Sequence, residues 1–180
     1  IEKGKTFNPD ARMKKILTEA AAVGNATART LVFKYPDPSV LFYPNSAWFT
    51  GFVGGDYQFQ SQPGVSNTDA MVHFIYYATG ITPAMALKLV GKGSQYAAAV
   101  TDSNGQRLEG GKAYKLHLPP NIPAKDFWSF TVYDNQTRSM LQTDQPYPSI
   151  GNDKKGVVSN PDGSVDVWFS PSAPKGHESN

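Results

Sequence analysis

The sequence predicts an α+β, β-rich fold: an antiparallel, jelly-roll-like sandwich with an N-terminal helix and a helical insertion. Three observations carry this expectation. Glycine and proline together supply 30 of the 180 residues, about 17% against a usual ~12%, so the chain turns often. Aromatic residues make up 12% of it, and they favour pleated, half-buried surfaces. From Ser94 onward, short alternating segments are separated by turn dipeptides, as in sandwiches and jelly rolls. The chain reads as an N-terminal helical segment over 1–35, aromatic-rich loops, short strands and helices over 36–93, and an antiparallel β body over 94–180.

The helix starts are legible from caps. Asn8 is a good N-cap, Pro9 suits the first helical position and Asp10 complements the helix dipole. Met13, Ile16, Leu17, Ala20, Ala21, Ala28 and Leu31 then recur near the helical period, with Arg12, Lys14, Lys15 and Glu19 on the other side. Gly24-Asn25 either ends or merely interrupts this helix. Prolines 36, 38 and 44 exclude helix and central strand from the next segment. Seven aromatics follow within residues 42–59, and Tyr57-Gln58-Phe59-Gln60 alternates like a half-buried strand.

A second helix begins at Ser66, Asn67 or Thr68, with Met71, Phe74, Ile75 and Ala78 as its core stripe and Gly80 as its end. Pro83 then allows a short helix over Ala84–Val90, before Gly91 and Gly93. The clearest strands are Gln95–Thr101, Ala113–Leu118, Phe127–Asp134 and Ser164–Phe169. Ser103-Asn104-Gly105, Gly110-Gly111 and Asn160-Pro161-Asp162-Gly163 turn the chain between them.

Composition excludes several classes of chemistry. With no cysteine there is no disulfide, thiolate nucleophile or thiolate metal site, while the redox compartment stays open. A net charge of +2 is too small to imply nucleic-acid or anionic-membrane binding by electrostatics. No apolar run approaches ~18 residues, so no membrane span is expected. Residues 1–5 are not a signal peptide, and there is no initiating Met.

Motif searches narrow the field further. The glycines near Lys92 and Lys112 lack phosphate-loop spacing, and no Gly-x-Ser-x-Gly pentapeptide occurs. The histidines, His73, His117 and His177, are far apart, so no metal site is expected; Asp102-Ser103-Asn104-Gly105 fits a tight turn better than a calcium loop. No cofactor is implied.

Three constellations carry candidate chemistry. Asp69, His73 and Tyr77 fall at i, i+4 and i+8 on a face opposite the apolar stripe, either as a proton-transfer pair or as an ordinary solvated or interface face. Tyr114, Leu116 and Leu118 share one face of a strand and Lys115 and His117 the other, where two bases hold an anion or simply line a wet face. Tyr133, Asp134 and Arg138 mark a connection in which Arg138 clamps a carboxylate or an internal Asp134–Arg138 pair closes an Asx-type turn.

The segments YKLHLPPNIPAKDFWS (114–129), TVYDNQTRSML (131–141) and NPDGSVDV (160–167), with YYATGITPAMA (76–86), are long and specific. On them the chain resembles the domain of unknown function 1214 family, usually the C-terminal half of bacterial proteins whose N-terminal half is the domain of unknown function 1254 family. The resemblance implies oligomeric, double jelly-roll-like proteins with no settled activity, and so transfers no catalytic residue. It also implies that the chain is a piece of something larger. The N-terminal partner half is missing, and residues 174–180 stop where family members continue through a Trp and further strands.

The expected function is therefore a binding or assembly module of an oligomeric protein of the bacterial periplasm or secreted, the cytoplasm not excluded. Its partners would be further copies or the missing parts of the same longer chain, with no nucleic acid. The alternative is an enzyme acting on a small polar or carbohydrate-like substrate in an aromatic-lined pocket. His73, His117 and Asp134 are then the catalytic candidates, and Trp48, Tyr77, Tyr114, Lys115, Tyr133 and Arg138 the ligand-binding candidates.

Overall fold

Asp10 starts the first helix, α1 (Ala11–Phe33), by accepting from Met13 N at 2.7 Å. The cap thus lies two residues after Asn8, because it is the Asp10 carboxylate that reaches the third helical N–H and meets the dipole with a full charge. The computed structural model describes residues 3–78, 80–87, 91–92 and 94–180, and the chain divides into two units, 1–100 and 101–180. Gly24-Asn25 does not end α1. The alanines around it favour helix, and Asn25 Oδ1 accepts from Arg29 Nε one turn on. Residues 11–27 of α1 are all exposed; Leu31 and Val32, in its last turn, are buried.

The core of the first unit is built from Val40, Phe49, Val53 and Ala70, with Tyr35, Leu41, Phe59, Ala98 and Val100 packed against it. Single-turn 3-10 segments at Pro38–Val40 and Val53–Gly55 bring these loop residues inward. Phe49 exchanges both backbone hydrogen bonds with Ala98, at 2.9 Å each, and bridges to Leu41 as well. The strand expected over Gln95–Thr101 is reduced to such isolated bridges, at Ala98 and at Thr101. Of the strand expected over Tyr57–Gln60 only Gln60 is extended, as the first residue of β1; Tyr57–Phe59 is not a strand. Both carboxylate oxygens of Asp56 are engaged, by Gln58 N and Gln60 N, and Phe59 takes a positive φ of 53°. The hairpin β1 (Gln60–Gln62) and β2 (Val65–Ser66) follows.

Asn67 caps α2 (Thr68–Tyr77) by accepting from Ala70 N. The stripe expected to be buried is corrected: Met71 and Ile75 are exposed, and Ala70, His73 and Phe74 are buried. The helix is rotated about one residue from the apolar reading. Phe74 meets Phe52 and Phe59 at ring-centroid distances of 4.9 and 5.2 Å, and such rings bury more area than Met71 and Ile75 offer. The helix stops at Tyr77, with the Ala78 N–H donating to Phe74 O, before Gly80 is reached. A third helix, α3, covers Pro83–Ala86. Residues 88–90, the end of the helix expected over Ala84–Val90, and Gly93 lie outside the described residues.

In the second unit β3 (Tyr114–Leu118) pairs antiparallel with β6 (Val165–Phe169), in a register that sets Leu116 opposite Val167 and His117 opposite Asp166. Val165 and Val167 are buried, so one face of the ribbon is apolar and the other carries the charged residues. The second pair joins β4 (Ser129–Thr131) to β5 (Ser149–Gly151). Its ladder is prolonged past the named strands by Val132 N to Pro148 O, beyond which an isolated bridge joins Tyr133 to Met140. The turn at Asn160–Gly163 forms as its residues suggest, with Gly163 at φ 84° donating to Asn160 O. Helices and strands are thus both present, and among the described residues the strands pair two by two in small sheets that do not close.

Gly151 fixes how closely β5 approaches β4. A Cβ there would lie 2.5 Å from Trp128 O and 2.7 Å from Asp153 Oδ1, whereas a Cβ on Gly110 meets nothing. Gly151→Ala is expected to destabilise the second unit by about 1–3 kcal/mol and Gly110→Ala to change little. Thermal unfolding of the two variants checks this, and equal melting temperatures would reject the close-approach account.

Candidate functional site

His73 and Tyr77 come together in the first unit. The imidazole is 1% exposed and sits among the rings of Tyr35, Phe49 and Tyr77, at centroid distances of 4.7, 5.6 and 5.3 Å. Its Nδ1 faces Leu31 O at 3.2 Å and its Nε2 faces Thr50 O at 3.3 Å. A neutral imidazole has one N–H, so it donates to one of these carbonyls while its other nitrogen faces oxygen lone pairs. Burial holds the His73 pKa below its ordinary value, against the pull of the two carbonyls. Tyr77 donates its hydroxyl to Val32 O at 3.0 Å, and burial pushes its phenol well up. Both side chains thus tie α2 to the end of α1. The face expected to be wet is the face that packs. Asp69, one turn before His73, is exposed.

The remaining candidate of the first unit, Trp48, is half-buried; its backbone N–H donates to Ser46 Oγ and its carbonyl accepts from Phe42 N. The other candidates belong to the second unit. There the β3–β6 register gathers Lys115 and His117 around a carboxylate of the chain itself. His117 Nδ1 lies 2.7 Å from Asp166 Oδ1, and Lys115 Nζ lies 3.5 Å from Asp166 Oδ2 and 5.7 Å from the centre of the Trp168 ring. The hydrogen bond from His117, with Lys115 beside it, holds Asp166 below the usual carboxylate range. In neutral His117 the proton is on Nδ1, leaving the Nε2 lone pair on a half-exposed ring. This is the arrangement of an oriented general base.

His177 covers the other end of the same face, its ring 5.2 Å from that of Trp168. Asn180 then seals the outer edge of β6. Its carbonyl accepts from Trp168 N, its Nδ2 donates to Asp166 O and Val158 O, and its Oδ1 accepts from Val158 N. Tyr114, on the apolar face, accepts from Glu109 N through its hydroxyl.

Asp134 is engaged within its own turn. One carboxylate oxygen accepts from Gln136 N, Thr137 N and Thr137 Oγ1, and the two backbone N–H groups lower its pKa. Arg138 donates its N–H to Asp134 O with a positive φ of 63°. Tyr133 lies on the surface, bridged to Met140.

A half-open cavity of about 300 Å³ lies elsewhere in the second unit, lined by Leu118, Trp128, Asn152, Lys154, Ser159 and Val165 among others. Trp128 and Asn152 brace each other: Trp128 N donates to Asn152 Oδ1 and Asn152 N to Trp128 O. Sequence reasoning placed Trp128 in a strand and missed Asn152 and Lys154. Only the pairing of β4 with β5 brings these residues to one place, though a Trp beside a strand start was a usable signal. Leu118 and Val165 line the cavity from the apolar face of the ribbon, whereas His117 and Asp166 face the other way. The oriented base and the cavity are therefore on opposite faces of β3–β6.

The lowered pKa of His73 has a sign that can be worked out. Unfolded, the imidazole takes up a proton near pH ~6.5; folded, it does so only at lower pH. Its contribution to stability is thus complete above about 6.5 and is lost as pH falls toward the folded value. Urea unfolding at pH 7.5 and 5.5 should show this loss. In His73→Phe the loss should shrink, alongside a pH-independent destabilisation of about 1–3 kcal/mol from the carbonyl that loses its donor. A variant that keeps the full wild-type loss would refute the assignment.

A search of curated proteins finds no match to the chain. Residues 93–180, the C-terminal part, match the family model described as Protein of unknown function (DUF1214).

Proposed function

We propose that the chain is a binding and assembly module, part of an antiparallel, jelly-roll-like sandwich that further protein completes. One observation carries this reading. The accessible surface is 13500 Å², whereas two separately folded compact units of these sizes would expose only about 10,000 Å² by the usual scaling of area with mass. The excess of roughly 3,000 Å² is more than the ~800 Å² that one partner contributes to a standard interface. Large apolar side chains supply part of it. Phe7, Val23, Tyr43, Ile75, Phe127 and Tyr147 are all more than half exposed. Two-stranded sheets point the same way, since such ribbons are marginal alone.

The enzymatic alternative has less support. His117 and Asp166 form an oriented base, but the cavity of the same unit opens on the opposite face, and Asp134 is engaged within its own turn. The completing protein is a second copy or further parts of the same longer chain. Light scattering on the 19.6 kDa chain, with dye binding to exposed apolar surface, separates the cases. A mass above the monomer supports completion by copies, and a dye-binding monomer supports completion by missing segments. A monomer that binds no dye and melts independently of concentration would sink the proposal.

A further inference from the structure

We infer that α1 is a self-association helix that packs antiparallel against α1 of a second copy; this rests on the assembly reading and names its surface. The exposed part of the helix, Ala11 to Thr27, carries one continuous apolar stripe of Met13, Ile16, Leu17, Ala20, Val23 and Gly24. Met13, Ile16 and Leu17 are 42–43% exposed and Val23 is 66% exposed. Leu31 continues the stripe and is buried, so the apolar seam runs outward from a packed end with nothing in its own unit to cover it.

Residues 13, 17, 20 and 24 follow spacings of 4, 3 and 4, the repeat by which a second helix keeps contact along its length. The stripe is large in its N-terminal half and small in its C-terminal half. Laid antiparallel about the midpoint of residues 13–24, Met13 meets Gly24 and Leu17 meets Ala20, each large residue against a small one, as close packing demands. Laid parallel, Leu17 would meet Leu17 and Gly24 would meet Gly24.

Charge selects the same direction. Arg12, Lys14 and Lys15 cluster at one end of α1, against the single acid Glu19, which already pairs with Lys15 at 3.9 Å. A parallel pair would set these bases side by side. The antiparallel pair sets Arg12 against Asn25 and Lys14 against Val23, and opposes the two helix dipoles. Seventeen residues of helix run about 25 Å, and covering that length on both copies removes on the order of 1,000 Å² from water, the lower bound for a specific interface.

Sedimentation of the wild-type chain, L17E and A22E, with spin-label distances in T27C, exposed on the seam side of the helix, tests this; the chain has no native cysteine to confuse the label. The expected result is a concentration-dependent dimer whose dissociation constant rises at least tenfold in L17E and is unchanged in A22E, which lies on the opposite face. The expected label separation is about 25 Å, against about 10 Å for parallel helices. L17E should keep the wild-type circular dichroism spectrum, because Leu17 is not part of the core. A dimer indifferent to L17E overturns this inference and leaves the assembly reading standing on another surface. A separation near 10 Å overturns the antiparallel arrangement. A monomer at every concentration overturns the inference, and its dye binding then decides whether the assembly reading survives.

Discussion

The first unit depends on one buried imidazole. His73 faces carbonyls from two other segments, Leu31 at the end of α1 and Thr50 in the aromatic loops, and so α1, α2 and the loop are joined at one ring. The surrounding Tyr35, Phe49 and Tyr77 exclude water, which makes the hydrogen bond stronger and its absence costlier. Each of these segments is otherwise weakly held. The loop has isolated bridges in place of a strand, and α1 is buried only at its end. A hydrophobic residue of the same size would fill the space but leave the carbonyl that accepts from the imidazole without its donor.

The second unit is ordered by pairings between distant strands. The β3–β6 register decides which side chains meet, setting Asp166 beside His117 and within reach of Lys115. A one-residue slip of β6 would carry Asp166 to the face opposite Lys115 and His117. The two bases expected to hold an external anion are thereby matched to an internal one. This charge balance fits a surface that other protein approaches better than one that captures small acids.

What could be read from the sequence was local. Asn67 as a cap, the Asn160–Gly163 turn and the segments of β3 and β6 are each specified within a few residues. The Asp10 cap was missed by two residues because Asn8 and Asp10 both satisfy the same local chemistry. The rotation of α2 was not legible, since Met71 and Ile75 are as apolar as anything that is buried, and only Phe52 and Phe59 decide which face turns inward. The role of Asp166 was hidden for the same reason: its partner lies 49 residues earlier and is found only through strand pairing.

Asn180 illustrates how a single residue can stand in for a strand. Its amide and carbonyl occupy backbone groups of Val158, Asp166 and Trp168 that an adjacent strand would otherwise use. Any incoming strand that seeks the outer edge of β6 must therefore compete with an intramolecular ligand. The effective concentration of that ligand is set by a tether of about a dozen residues, a regime usually in the millimolar range. Edge-to-edge pairing through β6 is disfavoured by this competition, alongside the Asp166 charge on the strand itself.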